Sequence, residues 1–558
     1  MGERIYVADK TTLDEVNGKS DEIKASLQSV KKDTDDIKNT VMSVSSGGIA
    51  PSNMRSFSVQ PAEGKVKIKF LEPEDTIIDG QLICTWKGVK IVMKEGDYPE
   101  SETDGTEILD CRTAGQYAKD AFEYGGLTND TTYYFQAFPY SDYNIYNRNA
   151  ANRKAVTPSE CLIYGFKEYF GILDSESRIV PTDTNADFTP MRRNSDGTQD
   201  YGSWAGFPLL EANKPYMVNK DGTVDYSLLG TDYTKKADGE TASDVSNASY
   251  AGAGAFSWLK KTYCKETYGT DDVGAYRHVQ FAFDNSHDQT SDFEPYAFMW
   301  DENTELEGLW VPMFYMSDSG KTISGTQPIY GKTTDQERSI LQGISERAVH
   351  FGGPVMNFLR DIAYLLTNST DIQKHWGEGC MSAYNSNGSP TYGVKKNAVV
   401  GGGQFYGTTG GTTLNKAFHS IVIQSFQQLL RDPMTLLSSG KMLVTPYYSK
   451  YSLTGAGYID TGLTYASSSA WRYASKLTHV DKFGSVHQDD NLGTTTTGCC
   501  DGQYYNASGV RVGRRLGSAD SGLPDGPGYL GLNNEASFAD WACGVGVLLC
   551  PSAGYSPE

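Results

Sequence analysis

Residues 13–44 constrain this chain more than any other stretch. Leu13, Ser20, Leu27, Thr34 and Val41 recur every seven residues, and Val16, Ile23, Val30, Ile37 and Val44 each follow three residues later. Between them stand almost only Asp, Glu, Lys, Ser, Asn and Gln. A helix under-wound to 3.5 residues per turn carries these positions as one seam. That seam is too narrow to be buried by the helix alone, and no second stretch of this kind exists in the chain, so it must meet copies of itself. β-Branched residues at every d position, with Leu at two of the a positions, favour three or four strands over two, while Ser20 and Thr34 fix register at a cost in stability. The expectation is a parallel homotrimeric stalk of roughly 48 Å. Its oligomerisation contacts are Leu13, Val16, Ile23, Leu27, Val30, Ile37, Val41 and Val44.

The 558 residues leave room for two to four compact units. A net charge of −20 argues against nucleic acid, whose phosphates need a basic face, and against docking on anionic membrane. No apolar run reaches the ~18 residues of a membrane span, so no membrane insertion is expected. Met1-Gly2-Glu3-Arg4 leads into no apolar core and Tyr6 stands where a myristoylation motif wants Ser or Thr, so neither a secretory leader nor a lipid anchor is expected. Nine cysteines without such a leader imply synthesis in a reducing cytosol, with free thiols as the expectation. A bridge among Cys499, Cys500, Cys543 and Cys550 is the alternative.

After Val44 the stalk stops at Ser45-Ser46-Gly47-Gly48, with Pro51 beyond. Residues 1–48 are therefore an attachment segment and stalk. Lys65-Val66-Lys67-Ile68-Lys69-Phe70 alternates charged and apolar residues and reads as a strand with one wet face. Leu82–Met93 gives two β-runs broken at Lys87-Gly88, and Thr131–Phe138 another. In the long remainder two helices are expected. One starts at Pro354, with Val355, Phe358, Leu359, Ile362, Leu365 and Leu366 on one face, and ends at Thr367-Asn368. The other runs from about Lys416 through Phe418, Ile421, Val422, Phe426, Leu429 and Leu430 and stops before Pro433. Both stripes read as core. No repeat of 20–50 residues appears, which excludes a solenoid or propeller.

Gly126-Leu127-Thr128-Asn129-Asp130-Thr131-Thr132-Tyr133 resembles the tyrosine corner of fibronectin type III sandwiches. Trp86–Lys94, Tyr98-Pro99, Thr103-Asp104-Gly105-Thr106 and Phe138-Pro139-Tyr140-Ser141 resemble the sandwich domain of many bacteriophage tail-fibre proteins, over roughly 51–158. Asp221–Tyr226, Asp232–Gly239, Ser243–Asn247, Thr367–Asp371, Gly403–Gly407 and Gly455–Ile459 resemble stretches of phage virion proteins. Those proteins end in a C-type-lectin-like domain of the kind found in the major tropism determinant and other targets of diversity-generating retroelements. The tail, from Asp501–Asn506 through Leu516-Gly517-Ser518 to Leu532–Trp541 and Gly544-Val545-Gly546, resembles the close of that domain. The likeness spans most of 160–552. It departs where many relatives carry a Trp-rich, Arg-containing second helix and this chain has Ile421 to Leu430. The resemblance implies a multidomain fold: an N-terminal trimeric coiled coil, an all-β fibronectin-III-like sandwich over 51–158 and an α+β C-type-lectin-like head over 159–558.

No catalytic motif is evident in the sequence, which lowers the enzyme reading without removing it. Neither a His-Glu-x-x-His nor a Gly-x-Ser-x-Gly elbow occurs, and Gly401-Gly402-Gly403 lacks the Lys that follows in a phosphate loop. Lectin-like folds often bind Ca²⁺, and Asp284–Asp292 holds suitable carboxylates and amides. It lacks the Gly and terminal Glu of an EF-hand loop, so no cofactor is expected. His350, ahead of Gly352-Gly353-Pro354, reads as structural. Acidic residues number 69, yet abundance places no pair across a glycosidic bond.

Binding chemistry concentrates in the last sixty residues. Ser518 to Tyr529 is a loop by its turn signals, held between apolar strand candidates. Asn533, Asn534, Ser537, Phe538, Asp540 and Trp541 mix amide, hydroxyl, carboxylate and aromatic groups, a set suited to sugars: rings stack on apolar sugar faces and polar groups bond hydroxyls. In diversified relatives the receptor contacts fall here. The expected receptor-binding residues are Ser518, Asp520, Ser521, Leu523, Asp525, Tyr529, Asn533, Asn534, Ser537, Phe538, Asp540 and Trp541. These expectations describe a non-enzymatic, homotrimeric phage fibre or receptor-binding protein on the virion surface, made in the host cytoplasm. Its N-terminal end would join other phage structural proteins, and its heads would adhere to a bacterial glycan or surface protein, with the net charge of −20 favouring a neutral glycan or protein over a polyanionic polymer. A tailspike-like depolymerase and a capsid-decorating head fibre are the alternatives.

Overall fold

The computed structural model describes residues 17–31 and 49–557, except 79, 119, 159–161, 196–197, 284–291, 318, 378–416, 421, 424–425, 469 and 519–520. Residues 17–31 form one helix. Its seam residues Ile23, Leu27 and Val30 are 60%, 67% and 64% exposed among the described residues. The remaining oligomerisation residues, Leu13, Val16, Ile37, Val41 and Val44, lie outside the described residues.

Beyond this helix the chain is mostly β, in two compact units, Met1–Cys161 and Leu162–Glu558. The first contains an all-β sandwich. One sheet orders Ser56–Ala62, Lys65–Leu71 and Phe122–Gly125. The other orders Thr106–Cys111, Trp86–Glu95, Tyr133–Ser141 and Arg153–Val156. Every neighbouring pair is antiparallel. Alternation explains the sides: Val66, Ile68 and Phe70 are buried while the lysines between them stay at the surface. They meet Val89, Ile91, Phe135 and Ala137 of the facing sheet in one core. The Tyr133 hydroxyl accepts the Thr128 N–H at 3.0 Å, pinning the turn before its strand. The break in Leu82–Met93 lies at Thr85, not at Lys87-Gly88. Gly88 stays in the strand because the Tyr140 ring packs flat on it, leaving a Cβ only 2.5 Å from the ring hydroxyl.

The second unit holds two seven-stranded sheets and a four-stranded one. Pro354–Thr367 is the expected helix, ending with Asn368 in the left-handed conformation (φ 48°). It is buried all round rather than on one stripe. Phe358 meets Phe281 and Phe298 at ring distances of 6.0 and 5.5 Å, and Tyr364 meets Phe166 at 6.4 Å. The second expected helix is not one. Only Val422-Ile423 is helical among the described residues of that stretch, and Leu429–Ser438 is a strand buried along almost its whole length. The apolar residues of this stretch fit a strand covered on both faces as well as they fit a helix stripe. Pro433, which has no N–H to give a ladder, sits where the register shifts between Asp432 and Leu436.

Around the buried helix runs a closed set of charges. Glu168 receives Arg178 at 2.6 Å and Arg277 at 2.5 Å, and Arg277 also reaches Asp361 at 2.8 Å and Glu266 at 3.5 Å. Arg360 binds Asp361 at 3.0 Å. Three guanidinium groups thus face three carboxylates, a neutral cluster in the core. Its spare donors reach backbone carbonyls: Arg178 Nη2 at Ser475, 2.8 Å, and Arg360 Nη1 at Ser485, 2.9 Å. Through Glu168, Glu266 and Arg277 the cluster therefore ties the helix to three sheet strands, and through the carbonyls to the segment 475–485.

Two consequences can be measured. Asp361→Asn leaves Arg277 and Arg360 short of a counter-charge and is expected to cost about 3–5 kcal/mol in urea unfolding. Burial alone would raise the Glu266 carboxyl, but the Arg277 charge and hydrogen bonds from His479 and Ser485 outweigh it and hold it at about 2. A depressed carboxylate contributes stability above its unfolded value and loses it as pH falls through the folded one. Stability is therefore expected to drop between pH ~4.5 and ~2, with a smaller drop in Glu266→Gln.

Candidate functional site

Leu429 and side chains from 471–542 build a cavity on the sheet that orders Ile459–Thr464, Lys441–Val444, Leu429–Ser438, Val510–Leu516, Gly526–Leu532 and Gln503–Tyr505. Cys543-Gly544 pairs in parallel with Leu429-Leu430 at its border. Along Gly526–Leu532, alternation separates two jobs. Gly526 and Gly528 face the buried Asp501: a Cβ at 526 would stand 1.8 Å from its Oδ1, and one at 528 only 2.8 Å from Oδ2. Burial pushes the Asp501 carboxyl well above the usual range, and its Oδ2 accepts the Gly528 N–H at 2.6 Å. Tyr529, the next residue, lines the cavity. Val510–Leu516 divides likewise. Arg515 pairs inward with Asp432 at 2.9 Å, whereas Arg514 lines the cavity.

The cavity has a volume of about 330 Å³ and is lined by Leu429, Trp471, Tyr504, Arg514, Ser518, Ser521, Tyr529, Asn533, Phe538, Asp540 and Ala542. Trp471 stands edge-on to Tyr504 (5.5 Å, 70°) and tilted on Tyr529 (5.5 Å, 59°). The Arg514 guanidinium lies 5.5 Å from the Phe538 ring centroid and donates to Asn533 Oδ1. Ser518 and Ser521 share a hydroxyl contact at 2.9 Å.

A neighbouring helix holds the 533–542 side of the cavity. Thr334–Ile344 begins with a capping box between Thr333 and Gln336 and presents Glu337 to Arg431 at 2.6 Å. Arg431 Nη2 then donates to the Phe538 carbonyl, the Thr334 N–H to that of Ala536 at 2.9 Å, and the Gly331 N–H to that of Asp540 at 2.9 Å. Phe538 and Asp540 are thus mounted on a fixed backbone, the preorganisation a binding site needs.

Six of the expected receptor-binding residues meet in this cavity: Ser518, Ser521, Tyr529, Asn533, Phe538 and Asp540. Trp541 is half-buried against Leu429, Tyr529, Ala542 and Cys543, a support beneath the site. Leu523 and Ser537 are exposed away from it, and the Asn534 carbonyl accepts the Val512 N–H at 3.0 Å. Asp525 has to be corrected. It is fully buried, against Gly517, where a Cβ would fall 1.9 Å from its Oδ1, so it cannot touch a receptor. The expected loop also ends early: Gly526 to Tyr529 are already strand, because glycines there let the backbone close over Asp501. Asp520 lies outside the described residues.

Sequence reading missed Trp471, Tyr504 and Arg514. Trp471 sits in a Ser- and Ala-rich turn segment far from the tail, and only the fold brings it there. The adjacent arginines of Val510–Leu516 were a usable signal, since neighbours in a strand face opposite ways. Asp284 to Ser291 of the stretch weighed for Ca²⁺ lie outside the described residues, and Asp292 pairs with Lys265 at 3.3 Å. Among the described residues no group of three or more His, Cys, Asp or Glu is placed to hold a metal ion. The seven described cysteines are buried and free. His350 is buried beside Glu337 at 3.4 Å. A second cavity of about 280 Å³, lined by Glu266, Glu294, Asp361 and His479 among others, borders the core charge cluster. Glu266 and Asp361 there are already engaged by Arg277.

The fit of the cavity wall can be tested at Gly531, where a Cβ would lie 3.1 Å from Arg514 Nη2 and 3.2 Å from the Tyr529 hydroxyl. Gly531→Ala is expected to cost about 1–3 kcal/mol in urea unfolding through overpacking, while exposed Ser537→Ala stays within about 0.5 kcal/mol. The site stands on its own geometry, since no protein-family model matches the chain and no curated protein matches it.

Proposed function

We propose that this chain is a bacteriophage fibre or receptor-binding protein that attaches the virion to a bacterial surface glycan or protein. The observation that carries the reading is the cavity. It gathers six residues of the tail segment with two further aromatic rings and an arginine on a braced sheet edge. Rings that offer flat apolar faces, rimmed by hydroxyl, amide and carboxylate groups, match the two-faced chemistry of a sugar. The reading is of adhesion, and of the carboxylates that line the second cavity Glu266 and Asp361 serve the core cluster.

The other segments fit the same reading. Three copies of residues 13–44 would join along the seam whose described part is exposed, with the N-terminal end on the virion. The sandwich is a fibronectin-III-like spacer, supported by its strand order and by the Tyr133 contact at the turn. Leu162–Glu558 is the lectin-like head, supported by the likeness of its closing segment. Trimerisation has an energetic purpose. A millimolar site yields only about −4 kcal/mol, and linking heads raises avidity by roughly 10²–10⁴.

Light scattering of the full chain at micromolar concentration is expected to give a trimer, and Ile23→Asp with Val30→Asp a monomer whose binding to susceptible cells falls at least ~100-fold. Trp471→Ala is expected to keep the trimer and lose cell binding. A monomeric native chain, or a Trp471→Ala trimer that binds cells as well as the native one, overturns the reading.

A further inference from the structure

We infer that the ligand of this cavity is an acidic sugar, with its carboxylate received by Arg514. The inference rests on the cavity being the receptor site and adds the chemical class of what it takes. Its starting point is a difference among buried arginines. Among the described residues seven are buried: Arg178, Arg277, Arg360, Arg431, Arg511, Arg514 and Arg515. Six have a carboxylate within 4.0 Å, Arg511 and Arg431 through Glu535 and Glu337, Arg515 through Asp432, and the others through the core cluster. Arg514, 6% exposed, has none among the described residues, and its Nε–H is enclosed with no acceptor.

Burying a guanidinium without a counter-charge is costly, and the protein avoids it at every other described position. The neutral amide oxygen of Asn533 and the ring of Phe538 orient the Arg514 group without cancelling its charge. No carboxylate among the described residues lies within 4.0 Å of Arg514, and since Arg514 lines the cavity, the carboxylate of a ligand can take that place. A planar fork of donors matches a carboxylate better than a neutral hydroxyl pair. The Trp471 ring beside it offers a face for the sugar, and Asp540 and Ser521 stand on the same wall for its hydroxyls. Asp540 does not supply the counter-charge, and its Oδ1 instead accepts the Ala542 N–H at 2.9 Å.

The test is calorimetric titration of the full chain with three oligosaccharides of one backbone: one ending in glucuronic acid, its carboxyl-reduced glucose counterpart, and a glucose-6-phosphate counterpart. The glucuronate form is expected to bind roughly 10- to 100-fold more tightly than the glucose form, and Arg514→Lys to remove most of that difference. The ligand-side comparison holds even if a variant at 514 folds poorly. Equal binding of the acidic and neutral forms overturns this inference and leaves the cavity as the sugar site. Tighter binding of the phosphate form overturns the carboxylate assignment. No binding of any form at millimolar concentration, or binding unchanged in Trp471→Ala, overturns the site reading and this inference with it.

Discussion

The second unit depends on a neutral knot of three arginines and three carboxylates buried around one helix. Each charge there would be prohibitive alone, so the group is stable only when every member is in place. That condition makes the knot a register device: Arg277 can meet Glu168, Glu266 and Asp361 together only if three strands and the helix are correctly set. The helix then acts outward. Arg360 lies against Gly528, where a Cβ would come within 3.2 Å of its Cδ, and Asn357 accepts from Arg515 at 3.4 Å. The two strands that line the cavity are therefore seated on the element that the charge cluster locks.

From that seat the period-two geometry of strands does the rest. Gly528 and Arg515 face the helix, while Tyr529 and Arg514, their neighbours in sequence, face the cavity. One backbone serves both a tightly packed interior and a polar aromatic pocket, and neither can shift without the other. The helix Thr334–Ile344 completes the arrangement by holding the Phe538 carbonyl through Arg431, while the Gly331 N–H just before it holds the carbonyl of Asp540. A weak ligand gains most from walls that need no rearrangement on binding.

The sequence was most legible where one local rule decided the outcome. The alternation of Lys65–Phe70 leads directly to a strand with a buried Val66-Ile68-Phe70 face, and the span Pro354–Thr367 is bounded by Pro at its start and a left-handed Asn after it. It was misleading where two rules fit the same residues: Phe426 to Leu430 has a helical stripe, yet becomes the entry to a strand covered on both sides. Asp525 shows the other failure. A loop rich in Gly, Pro and Asp looks solvated, and only the fold reveals that this carboxylate points inward. Tail residues such as Asn533 and Phe538 could be named from their chemistry, while Trp471, some sixty residues earlier, reaches the cavity by long-range packing that no local pattern encodes.

Attachment, as proposed, joins two weak things, a shallow sugar pocket and a thin helical seam, that become strong through repetition. It requires that contact with the host fall on the cavity edge of the second unit. Hydrogen–deuterium exchange of the full chain, with and without surface polysaccharide of a susceptible host, reads that contact segment by segment. Slowed exchange is expected in 471–473, 503–505 and 529–542, with the sandwich at 51–158 unchanged. Protection confined to the sandwich, or to the second unit away from those segments, would contradict it.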